Sequence, residues 1–192
     1  MASGEAGPTT ATALAAAAMA EFNEHGFDGT DTNRIARRAG FAPQTFYRWY
    51  KDKADVFVTV YRSWEEQEKA ALLEAIAASA VIEELVDTII SHHRSHLNFR
   101  RSLRQLSAED PTIREARAAS RIRQVAFVRS WAGRAEIPDE VIAVALFQIE
   151  RLSDAVAEGE FNDMRLEDDA ARAEIAQIMI RLRQPPDGCA GQ

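Results

Sequence analysis

The sequence predicts an all-α protein, a small N-terminal three-helix unit followed by a larger helical bundle. Three observations carry this. Alanine is abundant while glycine (9) and proline (6) are sparse among 192 residues, a composition suited to long helices. Apolar residues recur at spacings of three and four. Glycines and prolines fall at the ends of these periodic segments. With 46% apolar and 28% charged residues, the chain is long enough to bury a core in one large domain or two small ones.

The elements follow in order. Residues 1–8 have the look of a frayed end, and a helix begins at Thr9 or Thr10, with Leu14, Ala17, Ala18 and Phe22 on one face. Gly26 ends it, as glycine past a helix terminus does. A short second helix runs from Asp31 or Thr32 to Ala39, capped by Asp31 or Thr30, with Ile35, Ala36 and Ala39 inward. Gly40 makes a turn, and Pro43 starts a third helix that reaches about Tyr50. A long fourth helix starts at Lys53 or Ala54 and reaches about Ser79, with the stripe Val56, Phe57, Val60, Tyr61 and Trp64. Later helices are expected near 82–98, 100–107, 111–133, 138–159 and 168–183. Pro111 and Pro138 suit starts, and Gly133 and Gly159 suit ends. The expected division is residues 9–53, residues 54–184 and a disordered tail at 185–192.

Composition narrows the function. No segment approaches 18 uninterrupted apolar residues, and the N-terminus lacks the basic start and apolar run of a signal peptide, so a cytoplasmic protein without membrane contact is expected. The single cysteine, Cys189, lies in a Pro/Gly tail and cannot found a disulfide framework or a cysteine zinc site. The net charge of −7 opposes indiscriminate binding to nucleic acid. Its distribution differs. Residues 33–53 carry Arg34, Arg37, Arg38, Arg48, Lys51 and Lys53 against Asp52 alone, a net of +5 that leaves −12 for the rest. Such a basic patch on an acidic chain is a local footprint for a polyanion, or else a solvated helix face.

The stretch Gly26–Lys53, GFDGTDTNRIARRAGFAPQTFYRWYKDK, holds two short helices joined by a glycine turn. A helix-turn-helix needs a positioning helix, a tight turn and a recognition helix offered to the major groove. Thr45, Tyr47, Arg48 and Trp49 crowd one short helix with polar and aromatic tips, while Phe46 and Tyr50, four apart, can anchor it inward. Lys51 and Lys53 lie just beyond, where phosphates would pass, and Arg37 and Arg38 flank the positioning helix.

These residues resemble the TetR family from Leu14 to about Phe57. Ala17-Ala18, Phe22 and Gly26-Phe27 resemble its first helix, Thr30, Ile35-Ala36 and Ala39-Gly40 its second helix and turn, and Thr45-Phe46-Tyr47, Tyr50 and Lys53 its third helix and the start of the fourth. The resemblance implies that Thr32, Tyr47 and Lys53 contact phosphates, that Pro43, Gln44, Thr45 and Arg48 face bases or sugars, and that Trp49 lies on the backbone. It also implies a ligand-responsive regulator, in all expectation a repressor, that binds near-palindromic double-stranded operator DNA as a homodimer and is released by a small-molecule effector. The chain departs from the family pattern at Glu21, where an apolar residue is common, at Arg34, where an acid is common, at Ala42 in place of a Ser or Thr cap, and at Gln44 in place of a frequent glycine.

Beyond Phe57 only size, helicity and order resemble the family. Val141, Ala145, Leu146, Ile149, Leu152 and Val156 line one wide face, and Ala171, Ile175, Ile178, Met179 and Leu182 another. The resemblance implies a four-helix dimer interface from these helices, through Ile149, Leu152, Val156, Ile175, Ile178, Met179 and Leu182, although part of each stripe is ordinary core. Trp64, His93, Phe99, Phe127, Trp131 and Phe147 are candidates for an apolar effector pocket, or plain core. A second function class rests on His92, His93 and His96, of which His92 and His96 are four apart and suited to a shared metal in a helical-bundle metal carrier or enzyme. Against it, no nucleophile elbow, phosphate-cradling glycine loop or paired carboxylate set with a histidine occurs, so neither catalysis, a cofactor nor a metal is expected.

Overall fold

The computed structural model describes residues 9–184; the expectations for the first eight residues, the tail and Cys189 lie outside the described residues. Over the described residues the chain is helical without strands. The helices are α1 (Thr10–His25), α2 (Thr32–Arg38), α3 (Pro43–Phe46), α4 (Lys53–Ala77), α5 (Ile82–Arg94), α6 (Leu97–Glu109), α7 (Pro111–Ala132), α8 (Asp139–Glu158), α9 (Glu160–Asp163) and α10 (Asp169–Arg183). Their ends are chemically marked. The Thr9 side chain accepts from the Thr12 amide and caps α1, and Asp31 accepts from the Arg34 amide and caps α2. Gly26 and Gly40 hold φ of 71° and 80°, a left-handed backbone that a side chain would strain.

Three elements differ from the sequence expectation. α3 is regular only over Pro43–Phe46, and the chain then tightens into turns, with the Arg48 amide bonded to Thr45 and the Trp49 and Tyr50 amides to Phe46. α6 begins at Leu97 and runs to Glu109, because Ser95–His96 breaks α5 and the chain resumes at once. The short α9 has no periodicity to betray it; Gly159, at φ 79°, ends α8 and starts α9.

The chain forms two compact units. The first holds α1 to α3, the first half of α4 to Glu65, and residues 98–116, which carry α6 and the start of α7. Its core gathers Leu14, Ala18 and Phe22 of α1, Ile35 and Ala36 of α2, Phe46 of α3, Val56, Phe57 and Trp64 of α4, and Phe99 and Leu103 of α6. Phe57 sits at its centre, with ring centroids 5.0 Å from both Phe22 and Phe99. Each large side chain so buried contributes about 1.5–3 kcal/mol relative to exposure. That is how a positioning helix of seven residues and a recognition helix of one turn stay folded, since neither could hold itself in water.

The second unit holds residues 66–97 and those from 117 onward. One cluster packs Leu85, Val86, Ile89 and Ile90 of α5 against Val156 of α8 and Ala171, Ile175 and Met179 of α10. Another gathers Ile137, Ile142 and Ala145 with Ile178 and Leu182. Among the described residues, no helix is long and apolar enough to cross a membrane.

Candidate nucleic-acid interface

The interface is built on the inward anchors of α3. Phe46 is fully buried, Tyr50 nearly so, and the Tyr50 hydroxyl donates to the Ala11 carbonyl at 3.0 Å. With one face pinned, Gln44, Tyr47, Arg48 and Trp49 are turned out to solvent, Tyr47 being 60% and Trp49 51% exposed. Tyrosine and tryptophan side chains usually bury most of their area, so these two stand out among the exposed residues. Pro43 and Thr45 are half-buried at its edge.

Two residues expected to reach phosphates meet here. The hydroxyls of Thr32, in the first turn of α2, and Tyr47 lie 2.9 Å apart. One hydroxyl donates to the other, so the pair keeps one free hydroxyl hydrogen beside the first turn of α2. Arg37 and Lys51 are exposed.

Half of the basic patch serves another purpose. Glu21 of α1 is buried, and it accepts from the Thr30 hydroxyl (2.8 Å), from Arg38 (3.0 Å) and, as an ion pair, from Arg34 Nε (3.2 Å). Arg38 also bonds Glu24 through both guanidinium nitrogens. Burial pushes the Glu21 carboxyl up, but the Thr30 and Arg38 hydrogen bonds and the charges of Arg34 and Arg38 outweigh it and hold the group below the ordinary glutamate range. The unusual residues at 21 and 34 thus answer each other, and they tie α1 to α2.

Lys53 also turns inward. Its ammonium donates to the Phe27 carbonyl at 2.6 Å and to the Thr30 carbonyl at 3.0 Å, and it stands 4.1 Å from the centre of the Phe27 ring. Burial pulls its pKa down, against the raising charges of Asp28 and Asp31. The expected phosphate contact by this ammonium is therefore not what the geometry displays, because its donors are spent on the α1–α2 loop. The cations left on the surface are Arg37, Arg48 and Lys51.

A segment of the chain matches the family model described as bacterial regulatory proteins, tetR family, over residues 14–60. An HTH-type transcriptional repressor of Streptomyces coelicolor is 32% identical over 134 residues, which span 66% of this chain and 67% of that protein. The chain belongs to the TetR family. As a TetR-family chain it is a transcriptional regulator of the helix-turn-helix type, and α2 and α3 are that motif. An uncharacterized HTH-type regulator of Bacillus subtilis is 31% identical, but only 37% of its length is spanned. Two solved structures share the fold at low identity: a transcriptional regulator of Rhodococcus sp. (18% identical, TM-score 0.69, covering 93% of this chain and 100% of that one) and the regulator FadR of Bacillus subtilis in complex with stearoyl-CoA (21% identical, TM-score 0.56, covering 88% and 96%).

The residues expected to line an effector pocket of this TetR-family chain are divided between the two units. Trp64 and Phe99 pack in the first unit's core, 6.2 Å between centroids. His93, Phe127, Trp131 and Phe147 belong to the second unit. Trp131 packs against both clusters there, Phe127 is half-buried, and Phe147 is 57% exposed with the Arg121 guanidinium 5.2 Å above its ring.

His93 is buried in a polar network that sequence spacing did not reveal. Its Nδ1 lies 2.8 Å from Asp154 and its Nε2 3.2 Å from Glu68. Serving both carboxylates takes a ring with hydrogens on both nitrogens, or one carboxyl that keeps its own. The partners lie 25 and 61 positions away, so no local motif could announce them. The His92 and His96 rings lie 5.0 Å apart, tilted by 53°, and His96 Nδ1 faces the His92 carbonyl at 3.0 Å. Among the described residues, no three His, Cys, Asp or Glu side chains converge on a point where they could hold one ion.

Of the residues expected at a dimer interface, Val156, Ile175, Ile178, Met179 and Leu182 are buried within the second unit itself, and Ile149 and Leu152 are half-buried against it. The α8 face left uncovered is instead Val141 (52% exposed), Val144 (56%) and Phe147 (57%). Val141 thus lies apart from the inward face on which periodicity groups it.

Proposed function

We propose that this chain is a dimeric repressor that reads a near-palindromic operator with α3 and leaves it when a small molecule binds the second unit. The observation that carries the reading is the surface of α3: Gln44, Tyr47, Arg48 and Trp49 face outward over buried Phe46 and Tyr50, with the Thr32–Tyr47 hydroxyl pair beside them. Gln44 and Arg48 have the hydrogen-bonding forks that distinguish base edges, and Thr32, Tyr47, Trp49, Arg37 and Lys51 suit the sugar–phosphate backbone. Dimerisation is supported by the apolar strip Val141, Val144 and Phe147, which a monomer leaves in water. The first effector probe is an acyl-CoA, because the Bacillus subtilis neighbour was solved with stearoyl-CoA.

The test is selection of duplexes from fragmented genomic DNA by the purified protein, followed by footprinting. The expected result is recovery of a shared inverted repeat with half-sites about one helical turn apart. Recovery of fragments without a common sequence would overturn operator reading.

A further inference from the structure

We propose that Lys53 and Ser102 are positioning residues for DNA binding, gripping the two backbone groups of Phe27 from α4 and α6 and so fixing the helix-turn-helix against both helices. This rests on the DNA-binding reading above.

The α1–α2 loop has few bonds of its own. After Gly26, whose amide still bonds Phe22, both backbone groups of Phe27 take side-chain partners from other helices. The Phe27 amide donates to Ser102 Oγ of α6 at 3.0 Å, and the Phe27 carbonyl accepts from Lys53 Nζ of α4 at 2.6 Å. Neither grip is adventitious. Ser102 is buried, and its hydroxyl hydrogen is committed to the Asn98 carbonyl at 2.9 Å, which aims an oxygen lone pair at the Phe27 amide. Asn98 Nδ2 ties the same corner by donating to the Asn23 carbonyl at 2.9 Å. The Lys53 ammonium has three hydrogens: two go to the carbonyls of Phe27 and Thr30, and the Phe27 ring takes the third side. The ring is wedged in turn between Phe22 and Phe57, at 5.7 and 5.4 Å. Thr30 stands two residues before Thr32, whose hydroxyl meets Tyr47. A displacement of α4 or α6 is therefore passed through Phe27 and Thr30 to the first turn of α2.

A phosphate-contacting lysine and a positioning lysine differ in their salt dependence. Each neutralised phosphate adds about 0.9 to the slope of log affinity against log salt. The probe is a duplex recovered by the wild-type dimer from genomic DNA. Lys53→Met keeps the stem and removes the ammonium. Its affinity is expected to fall on the order of tenfold, the worth of a charge-assisted hydrogen bond, at an unchanged slope. Lys53→Arg is expected not to restore affinity, because a planar guanidinium does not fit between two carbonyls and a ring. The exposed Lys51 is the contrast, and Lys51→Met is expected to shallow the slope by about 0.9. Ser102→Ala is expected to repeat the Lys53→Met pattern and to speed hydrogen exchange at the Phe27 amide; it carries the test alone if Lys53→Met does not fold. Each titration is run where circular dichroism shows the variant folded. A slope shallowed by about 0.9 in Lys53→Met, full rescue by Lys53→Arg, or wild-type affinity in Ser102→Ala would each overturn the proposal. If the wild type recovers no duplex, the DNA-binding reading falls first and the proposal with it.

Discussion

At the scale of single residues, charge in the N-terminal unit does two jobs. Arg34 and Arg38 tie α2 to Glu21, while Arg48 and Gln44 face outward on α3. Glu21→Ala should therefore act on stability, lowering it by about 1–3 kcal/mol in denaturant unfolding, as loss of a buried hydrogen-bonded charge does when its partners can still hydrate. The sign of the pH effect follows from the carboxyl's depressed pKa. Its stabilisation is present above the ordinary glutamate range and is lost as pH falls through the lowered value, so the wild type should lose more stability than Glu21→Ala on acidification. Parallel pH profiles would remove Glu21 from this role. Arg48→Ala and Gln44→Ala should leave stability alone and cost about 1–3 kcal/mol on the preferred operator. Equal weakening on specific and random duplexes would move both residues to the backbone. The outward set of α3 was legible in the sequence because Phe46 and Tyr50 fix which face is inward. The Glu21 cluster was legible only as two departures from a pattern, and the inward turn of Lys53 was not legible, since spacing places a side chain at a helix start without saying which acceptors lie within reach.

At the scale of elements, periodicity and end signals located the long helices, because 3.6-residue stripes and glycine or proline boundaries are written locally. Elements that depend on distant packing were misjudged. α3 holds one regular turn, for its continuation is shaped by burial of Tyr50 and the bond to Ala11 rather than by helix propensity. The start of α6 shifted because Phe99 and Leu103 answer to α4, not to their neighbours in sequence. The α3 N-cap is open to improvement. Ala42 has the extended backbone of a cap (φ −65°, ψ 146°) but no side-chain hydrogen bond. Ala42→Ser should supply one and raise stability by about 0.5–1 kcal/mol in thermal or denaturant unfolding. No gain would mean that the first amides of α3 already have solvent partners of equal worth.

At the scale of the whole molecule, apolar stripes near the C-terminus announce burial without saying what buries them. A stripe covered by a neighbouring helix and a stripe covered by a second copy have the same period. Here α8 and α10 cover each other with Val156, Ile175, Ile178 and Leu182, and the uncovered residues recur three apart along the outer face of α8: Val141, Val144 and Phe147. These two sets respond oppositely to a charge. Ile175→Asp puts a carboxylate in a fully buried site and should unfold the second unit. Val144→Asp and Phe147→Asp put it on surface that a monomer already hydrates, so the helical signal and unfolding midpoint of the monomer should survive. If this strip is the centre of a two-fold interface, each carboxylate meets its own copy across the axis, where both desolvation and like-charge repulsion oppose association. Sedimentation at micromolar concentration should then show a wild-type dimer and a folded Val144→Asp/Phe147→Asp monomer. Operator affinity should collapse in that variant although α3 is intact, because one recognition helix cannot span two half-sites about 34–36 Å apart. A variant that sediments as a dimer, or a monomeric wild type, would refute the assignment of this strip to the interface.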